Sequence, residues 1–397
     1  MRNRGAEGTK TTKIVVLAVL LLSPVLSADS ITISTVQNIT DLLFRRATAA
    51  DNQVSSLSFI LDKNLNRFSI FTYGNYTYLL ENPKENFYTQ DLGLDYLCSF
   101  GNKTALYISL LGSGTFYKSK YSDFNSISLN AFTSLKSYLS QTSILKSNYS
   151  FIYRNYKASL LDYWSQSLLL SLDKYFVTRT TAKVEVCWGY RHFMHLDQEK
   201  EYNLQKGNPP VSGGSGNEEQ QNLGQPTSPD QVQQKAKGIQ FFSVSSLLAQ
   251  SLGSKIGLNF SIMRQWILSG RNPFTCIQDF YKIENPFYDC FSWEGYQIRG
   301  QLTMLMPWLI ELETEYAYSD RCFPGIESLS PMQEPLGLTR KDRRVHIDVS
   351  LQKNWPRISI FLSYAYIFNR SNDPYFDWSG HFISVGFNWN QALGGEQ

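Results

Sequence analysis

The sequence predicts an all-β protein, an antiparallel up-and-down transmembrane β-barrel of about 14–16 strands. Three observations predict this class. Aromatic residues make up 14% and charged residues 18% of the 397 residues, which excludes intrinsic disorder because disordered chains contain few aromatics. The longest uninterrupted apolar run is 14–22, whereas a membrane-spanning helix needs about 20 apolar residues. The third observation is a regular series of strand-like runs joined by unlike connections.

The N-terminal segment, residues 1–28, has the three parts of a secretory signal peptide. Basic residues precede the apolar run, and Ala28 ends a short cleavable stretch. Removing the segment takes four basic residues from 37 and one acidic residue from 34, which leaves 33 of each. A net charge near zero gives no electrostatic footprint for nucleic acid, so we expect no nucleic-acid partner. An uncleaved interfacial anchor is the alternative interpretation of this segment.

Strand-like runs rich in Leu, Ile, Val, Phe, Tyr, Ser and Thr follow one another along the predicted barrel domain, residues 29–389. In the clearest run, 343–353, apolar residues from Val345 to Leu351 alternate with polar ones. This period of two is typical of a strand whose two faces meet unlike surroundings. Fifteen runs are clear, and a weaker one lies at 31–36. The clear runs lie at 54–61, 67–79, 88–99, 103–116, 124–135, 139–153, 159–172, 178–192, 239–250, 254–267, 292–304, 307–318, 343–353, 357–369 and 380–389.

The connections between the runs alternate in length. Longer ones lie near 80–87, 193–238, 268–291, 319–342 and 370–379, and short turns separate most of the other runs. Short turns at one end and long loops at the other are typical of an outer-membrane barrel. An even strand number places both termini at the short-turn end, which favours the weak first strand. A soluble secreted β protein is the alternative.

Aromatic residues concentrate at the ends of the runs. Amphipathic rings prefer the membrane interfaces, so we predict an interfacial aromatic belt at two levels. At the long-loop level we place Trp188, Tyr190, Trp266, Tyr316, Tyr318, Tyr364 and Tyr366. At the short-turn level we place Trp355 and Trp389.

The C-terminal segment, with 371–377 followed by the alternating run 381–389, resembles the last hairpin of bacterial outer-membrane β-barrels of the Gram-negative type. The chain is porin-like in size. That family ends in an alternating strand with a terminal aromatic, here Trp389, although the tail 390–397 continues past it. The resemblance implies a location in the outer membrane, contact with outer-membrane lipid, and the barrel-assembly machinery as a partner during biogenesis.

Charged residues fall on the polar face of several runs, which a membrane barrel turns toward its lumen. The predicted lumen-lining residues are Glu311, Glu313, Glu315, Arg299, Arg344, His346, Asp348, Lys183 and Glu185. They predict either a charged constriction that biases permeating solutes or a packed polar network that stiffens the wall. A barrel of this size leaves an aqueous channel. We therefore predict a pore for passive passage of small solutes or ions.

The longest connection, 193–238, is rich in Gly, Gln, Asn and Pro. This composition predicts a mobile or disordered extracellular loop rather than a folded plug. A non-conducting surface barrel, whose loops 193–238, 268–291 and 319–342 bind a ligand or partner, is the alternative function.

Cysteine and histidine spacing predicts no metal site and no cofactor, because no CxxC or HExxH motif occurs. Cys276, Cys290 and Cys322 fall in the predicted loops, and Cys276–Cys290 is the simplest disulfide. An outer-membrane hydrolase is a further alternative, with Asp373, Asp377 and His381 in one outer loop. No nucleophile, base and orienting group converge at a readable spacing, so we expect no enzyme.

Overall fold

The computed structural model describes residues 28–44, 52–79, 83, 86–159, 162–195, 238–271, 290–332, 334–374 and 376–392. Within these ranges sixteen strands form one closed antiparallel barrel, in which each strand pairs with its neighbours along the chain. The first and last strands close the ring by pairing with each other. The predicted fold class is confirmed. Residues 1–27 of the predicted signal peptide 1–28, most of the connection 193–238 and the end of the tail lie outside the described residues.

All sixteen runs of the sequence, including the weak first one, correspond to strands. The strands are β1 (Ser30–Phe44), β2 (Asn52–Leu65), β3 (Phe68–Leu79), β4 (Phe87–Phe100), β5 (Thr104–Tyr117), β6 (Ser126–Ser140), β7 (Ser143–Tyr156), β8 (Tyr163–Tyr175), β9 (Thr180–Phe193), β10 (Gly238–Leu252), β11 (Ile256–Ser269), β12 (Glu294–Met306), β13 (Ile310–Leu329), β14 (Pro335–Asn354), β15 (Ile358–Ser371) and β16 (Trp378–Ala392). Two 3-10 helices, Ser119–Phe124 and Pro307–Leu309, lie in connections.

The outer surface of the barrel is apolar. Every second residue of each strand points away from the ring, and many of these outward positions carry large apolar side chains. On β15, for example, Leu362 and Tyr364 are 47% and 40% exposed. Large exposed apolar side chains recur on the other strands, among them Leu110, Leu129, Leu170, Phe260 and Val385. A soluble protein rarely exposes a continuous apolar surface of this extent. Among the described residues no helix is long and apolar enough to cross a membrane.

The longest strands, β13 and β14, correct one prediction. The sequence analysis assigns 319–342 to a loop, yet β13 continues to Leu329 and β14 begins at Pro335. Pro324 and Gly325 lie inside β13, where the pairing register shifts between Cys322 and Glu327. A bulge accommodates an extra residue in one strand of a pair, so the two turn-forming residues do not end the strand. Placing Cys322 in a surface loop was likewise wrong.

A charged pair on the outward face of the β13–β14 hairpin marks the end of the apolar outer surface. Tyr316 and Tyr318 face outward, and the next outward residue, Asp320, lies 3.4 Å from Arg343 on β14. Charged side chains on the lipid face are costly at the membrane centre and cheap near the interface. The hairpin beyond Tyr318 therefore rises above the lipid.

Candidate functional site: the lumen wall

The residues that line the lumen follow from strand pairing, because directly paired residues of an antiparallel sheet share a face. Glu315 pairs with Gln301 on β12 and with Asp348 on β14, so all three point inward. The other predicted lumen residues on these three strands share that face. They are Arg299, Glu311, Glu313, Arg344 and His346.

The contacts of this wall are mostly open to the lumen. Arg299 donates from Nε to Glu315, with Nε and Oε1 3.2 Å apart, and 48% of its side chain is exposed. The Gln301 amide donates to Glu313 Oε1 over 2.7 Å. Glu311 is exposed at the end of β13 next to the short turn. A charged group that stays hydrated has no large desolvation penalty. An exposed carboxylate of this wall therefore does not need a packed partner.

Arg344 differs from the rest of the predicted set, because it is only 6% exposed. Its Nε donates to Asn369 Oδ1 over 3.2 Å, and its guanidinium lies 5.4 Å from the Trp378 ring. His346, the next inward residue of β14, is partly buried. Arg344 thus belongs to a packed region at the long-loop end of the lumen.

A second charged patch lies on β7, β8 and β9. Lys183 and Glu185, two predicted lumen residues on the same face of β9, form an ion pair with Nζ and Oε1 2.5 Å apart. The Ser245 hydroxyl donates to Glu185 Oε2 over 3.2 Å. Lys146 pairs with Asp173 over 2.5 Å. No local sequence pattern links Lys146 to Asp173, because the two residues are 27 positions apart and the β7–β8 pairing brings them together.

The long-loop end of the lumen holds a feature that the sequence analysis misses. Trp293, Phe323, Ile326 and Phe376 are all buried and pack together with Met263 of β11. We call these five residues the outer cluster. They come from four separate parts of the chain, so no local pattern brings them together.

Two arginines pack into the outer cluster. Arg340 binds Asp342 through two hydrogen bonds, with donor–acceptor distances of 3.0 and 2.5 Å, and both side chains are almost fully buried. The Arg340 guanidinium lies 3.2 Å from the Phe376 ring centroid and 4.2 Å from that of Phe323. Arg321 lies 6.0 Å from the Trp293 ring centroid. Cation–π contact and a paired carboxylate compensate the loss of water around these groups.

A second apolar cluster lies on the neighbouring strands at the same end. It consists of Phe193, Ile239, Phe241 and Phe291. The guanidinium of Arg191 lies 4.2 Å from the ring centroid of Tyr163 and 4.3 Å from that of Phe291. Arginine stacked on aromatic rings therefore recurs around the long-loop end of the lumen.

The residues of the predicted aromatic belt face outward where strand pairing defines their side. Tyr316, Tyr364 and Trp266 are 49%, 40% and 37% exposed, and Trp355 is 46% exposed in the β14–β15 turn. Trp188, Tyr190, Tyr318, Tyr366 and Trp389 share faces with exposed apolar residues of their own strands. Rings at both ends of an apolar band are the arrangement of outer-membrane barrels.

The closed ring, the apolar exterior and the polar lumen together decide the class. The chain is an integral β-barrel of the outer-membrane type. Both termini of the barrel lie at the short-turn end, which in this class faces the periplasm. We call this end the inner end and the long-loop end the outer end.

Comparisons with known proteins add overall likeness only. No protein-family model matches the sequence, and no curated protein matches it. The chain is similar to OpdO of Pseudomonas aeruginosa, with a TM-score of 0.49, 10% identity, and coverage of 92% of this chain and 97% of that one. For OccAB1 of Acinetobacter baumannii the values are 0.49, 8%, 91% and 96%. For a structure described as a bacterial polysaccharide outer membrane secretin they are 0.46, 10%, 92% and 98%.

The residues of the hydrolase alternative have separate roles. The Tyr364 hydroxyl and His381 Nδ1 are 2.8 Å apart on the outward face of β15 and β16. Asp373 is buried and accepts a hydrogen bond from the Leu329 backbone N–H over 3.1 Å. The carboxylate thus fixes the end of β13. Cys276 lies outside the described residues, so its pairing with Cys290 stays a prediction.

Proposed function

We propose that the barrel is a channel for passive passage of small polar solutes or ions. The observation that carries this proposal is the water-exposed charged wall inside a closed ring of sixteen strands. A ring of this size has room for an aqueous lumen. The side chains of Arg299, Lys146 and Lys183 keep 48%, 31% and 28% of their exposure, which supports a wall in contact with water at these heights.

Conductance of the refolded protein in planar bilayers tests this function. We expect stepwise current increases as single barrels insert. The matched variant lacks residues 196–237. Current in this variant alone would indicate that the deleted loop closes the lumen, and no current in either form would indicate that the barrel itself closes it. Barrels that migrate heat-modifiably in detergent gels yet give no current in either form would exclude the channel.

The outer cluster favours a second function, a surface barrel whose outer end binds a ligand or partner. Buried arginines fix the β13–β14 hairpin above the membrane, and a fixed surface binds with less loss of conformational entropy than a mobile loop. Binding to intact cells that is lost when residues 324–338 are replaced by a short turn, in a barrel without conductance, would support this function over the channel. The barrel-assembly machinery stays a proposed partner in biogenesis, through the β16 strand and its Trp389.

A further inference from the structure

The inner half of the lumen contains more carboxylates than bases. In the half of each strand nearest the short turns, five inward-facing carboxylates form no ion pair with a described residue. We call them the acidic band. Its members are Asp62, Asp95, Glu311, Glu313 and Asp348.

The inward-facing bases at this height already have partners. Lys146, Lys183 and Arg299 pair with Asp173, Glu185 and Glu315 respectively. Lys136 lies with its Nζ 4.8 Å from the Tyr138 ring centroid. Three of these four bases are thus neutralised by carboxylates outside the acidic band, and only the charge of Lys136 is left to offset it.

The acidic band lies on the half of the ring that runs from β13 through β16 and β1 to β4. Asp62 and Asp95 lie on β2 and β4, whereas the other three lie on β13 and β14, on a different side of the ring. Neutral donors hold several of them, since Ser30 donates to Asp62 and Gln301 donates to Glu313. A hydrogen bond from a neutral donor adds no positive charge, so it does not offset the charge of the carboxylate.

The arginines at the outer end are arranged differently. Arg321, Arg340 and Arg344 are 3%, 1% and 6% exposed, because aromatic rings cover them. A hydrated ion in the lumen cannot contact these guanidinium groups directly, whereas in the acidic band Glu311 is exposed and the other four residues are partly exposed. Charges in contact with the permeation path have the largest influence on an ion, since the interaction falls with distance and with intervening salt.

We propose that the pore prefers cations to anions and that the acidic band sets this preference. The inference rests on the proposed channel function. Rings of Asp and Glu side chains favour cations in other channels by the same physics. Because the band is at least partly exposed, salt screens its charge, and the preference falls as ionic strength rises.

The reversal potential of the refolded barrel in a KCl gradient measures this preference. We expect a potassium-to-chloride permeability ratio above one, falling about threefold in the variant Glu311→Gln/Glu313→Gln/Asp348→Asn. Asp320→Asn is the control, because it removes a carboxylate that faces outward above the belt. If the triple variant fails to fold, Asp62→Asn/Asp95→Asn reports on the opposite side of the band.

The possible outcomes separate the two proposals. A conducting barrel with a ratio of one or below overturns the cation preference and leaves the channel intact. A ratio that folded variants of the band do not change overturns the assignment to these residues. An absence of current from folded barrels overturns the channel and the preference together.

Discussion

The inner and outer halves of the lumen use charge in opposite ways. In the inner half, the side chains of Arg299 and Glu315 stay partly exposed and pair across neighbouring strands. At the outer end, Arg340 and Asp342 are buried and packed against rings. Exposed ion pairs contribute little to stability, and their charges remain in contact with the lumen. Breaking a buried ion pair, by contrast, is strongly destabilising. If the barrel is a channel, as proposed, we expect permeation to depend on the inner half and stability to depend on the outer end.

The largest expected effect comes from breaking the buried pair. Asp342→Leu leaves Arg340 without its carboxylate, so we expect the free energy of unfolding to fall by about 3–5 kcal/mol. Urea unfolding in detergent or lipid measures it. The double variant Arg340→Met/Asp342→Leu removes both charges and should recover most of the loss. Equal losses in the single and double variants would show that the charges themselves are not the cause.

Truncating the outer cluster should cost a similar or slightly smaller amount. Phe323→Ala opens a cavity at a fully buried side chain, and such changes typically cost about 3–5 kcal/mol. Leu97→Ala is the control in the inner half, where the side chain is 55% exposed. Comparable unfolding midpoints for the two variants would contradict the division between the halves.

A smaller effect is expected where the outer end is closely packed around a glycine. A Cβ at Gly189 would lie 2.2 Å from the Phe241 ring, so Gly189→Ala forces the ring to move, at a cost of about 1–3 kcal/mol. Gly257→Ala on β11 is the matched control, since a Cβ there meets nothing within 4 Å. Thermal unfolding of both variants checks this, and a tolerant Gly189 would mean that Phe241 has room to turn.

The smallest effect on stability is expected at the exposed pair. Arg299→Gln should change the free energy of unfolding by less than about 1 kcal/mol, because the pair is accessible to water. It should also raise the potassium-to-chloride permeability ratio, since Glu315 loses its cation. Urea unfolding and reversal potentials measure the two quantities on the same preparation. A large loss of stability would place Arg299 with the outer residues instead.

The sequence predicts the barrel well and its outer end poorly, for a physical reason. Within the membrane, lipid imposes an alternation of two along every strand, and that alternation can be read in 343–353 and the other runs. Above the membrane the constraint disappears, and Pro324 and Gly325 read as a loop although β13 passes through them. The inward orientation of the Glu311 and Asp348 side chains can be predicted from the alternation of apolar and polar residues along their strands. The outer cluster cannot be predicted in this way, because its residues, from Met263 to Phe376, come from four separate parts of the chain.

Pairing of the first strand with the last has a consequence for how the chain folds. Ser30 pairs with Ala392, so the contact that closes the ring joins residues 362 positions apart. Closing so long a loop carries a large entropic cost, and folds dominated by distant contacts form slowly. Until β16 arrives, β1 presents an unpaired edge of the kind that promotes aggregation. The order of synthesis thus leaves the chain dependent on protection of that edge until its last residues are available.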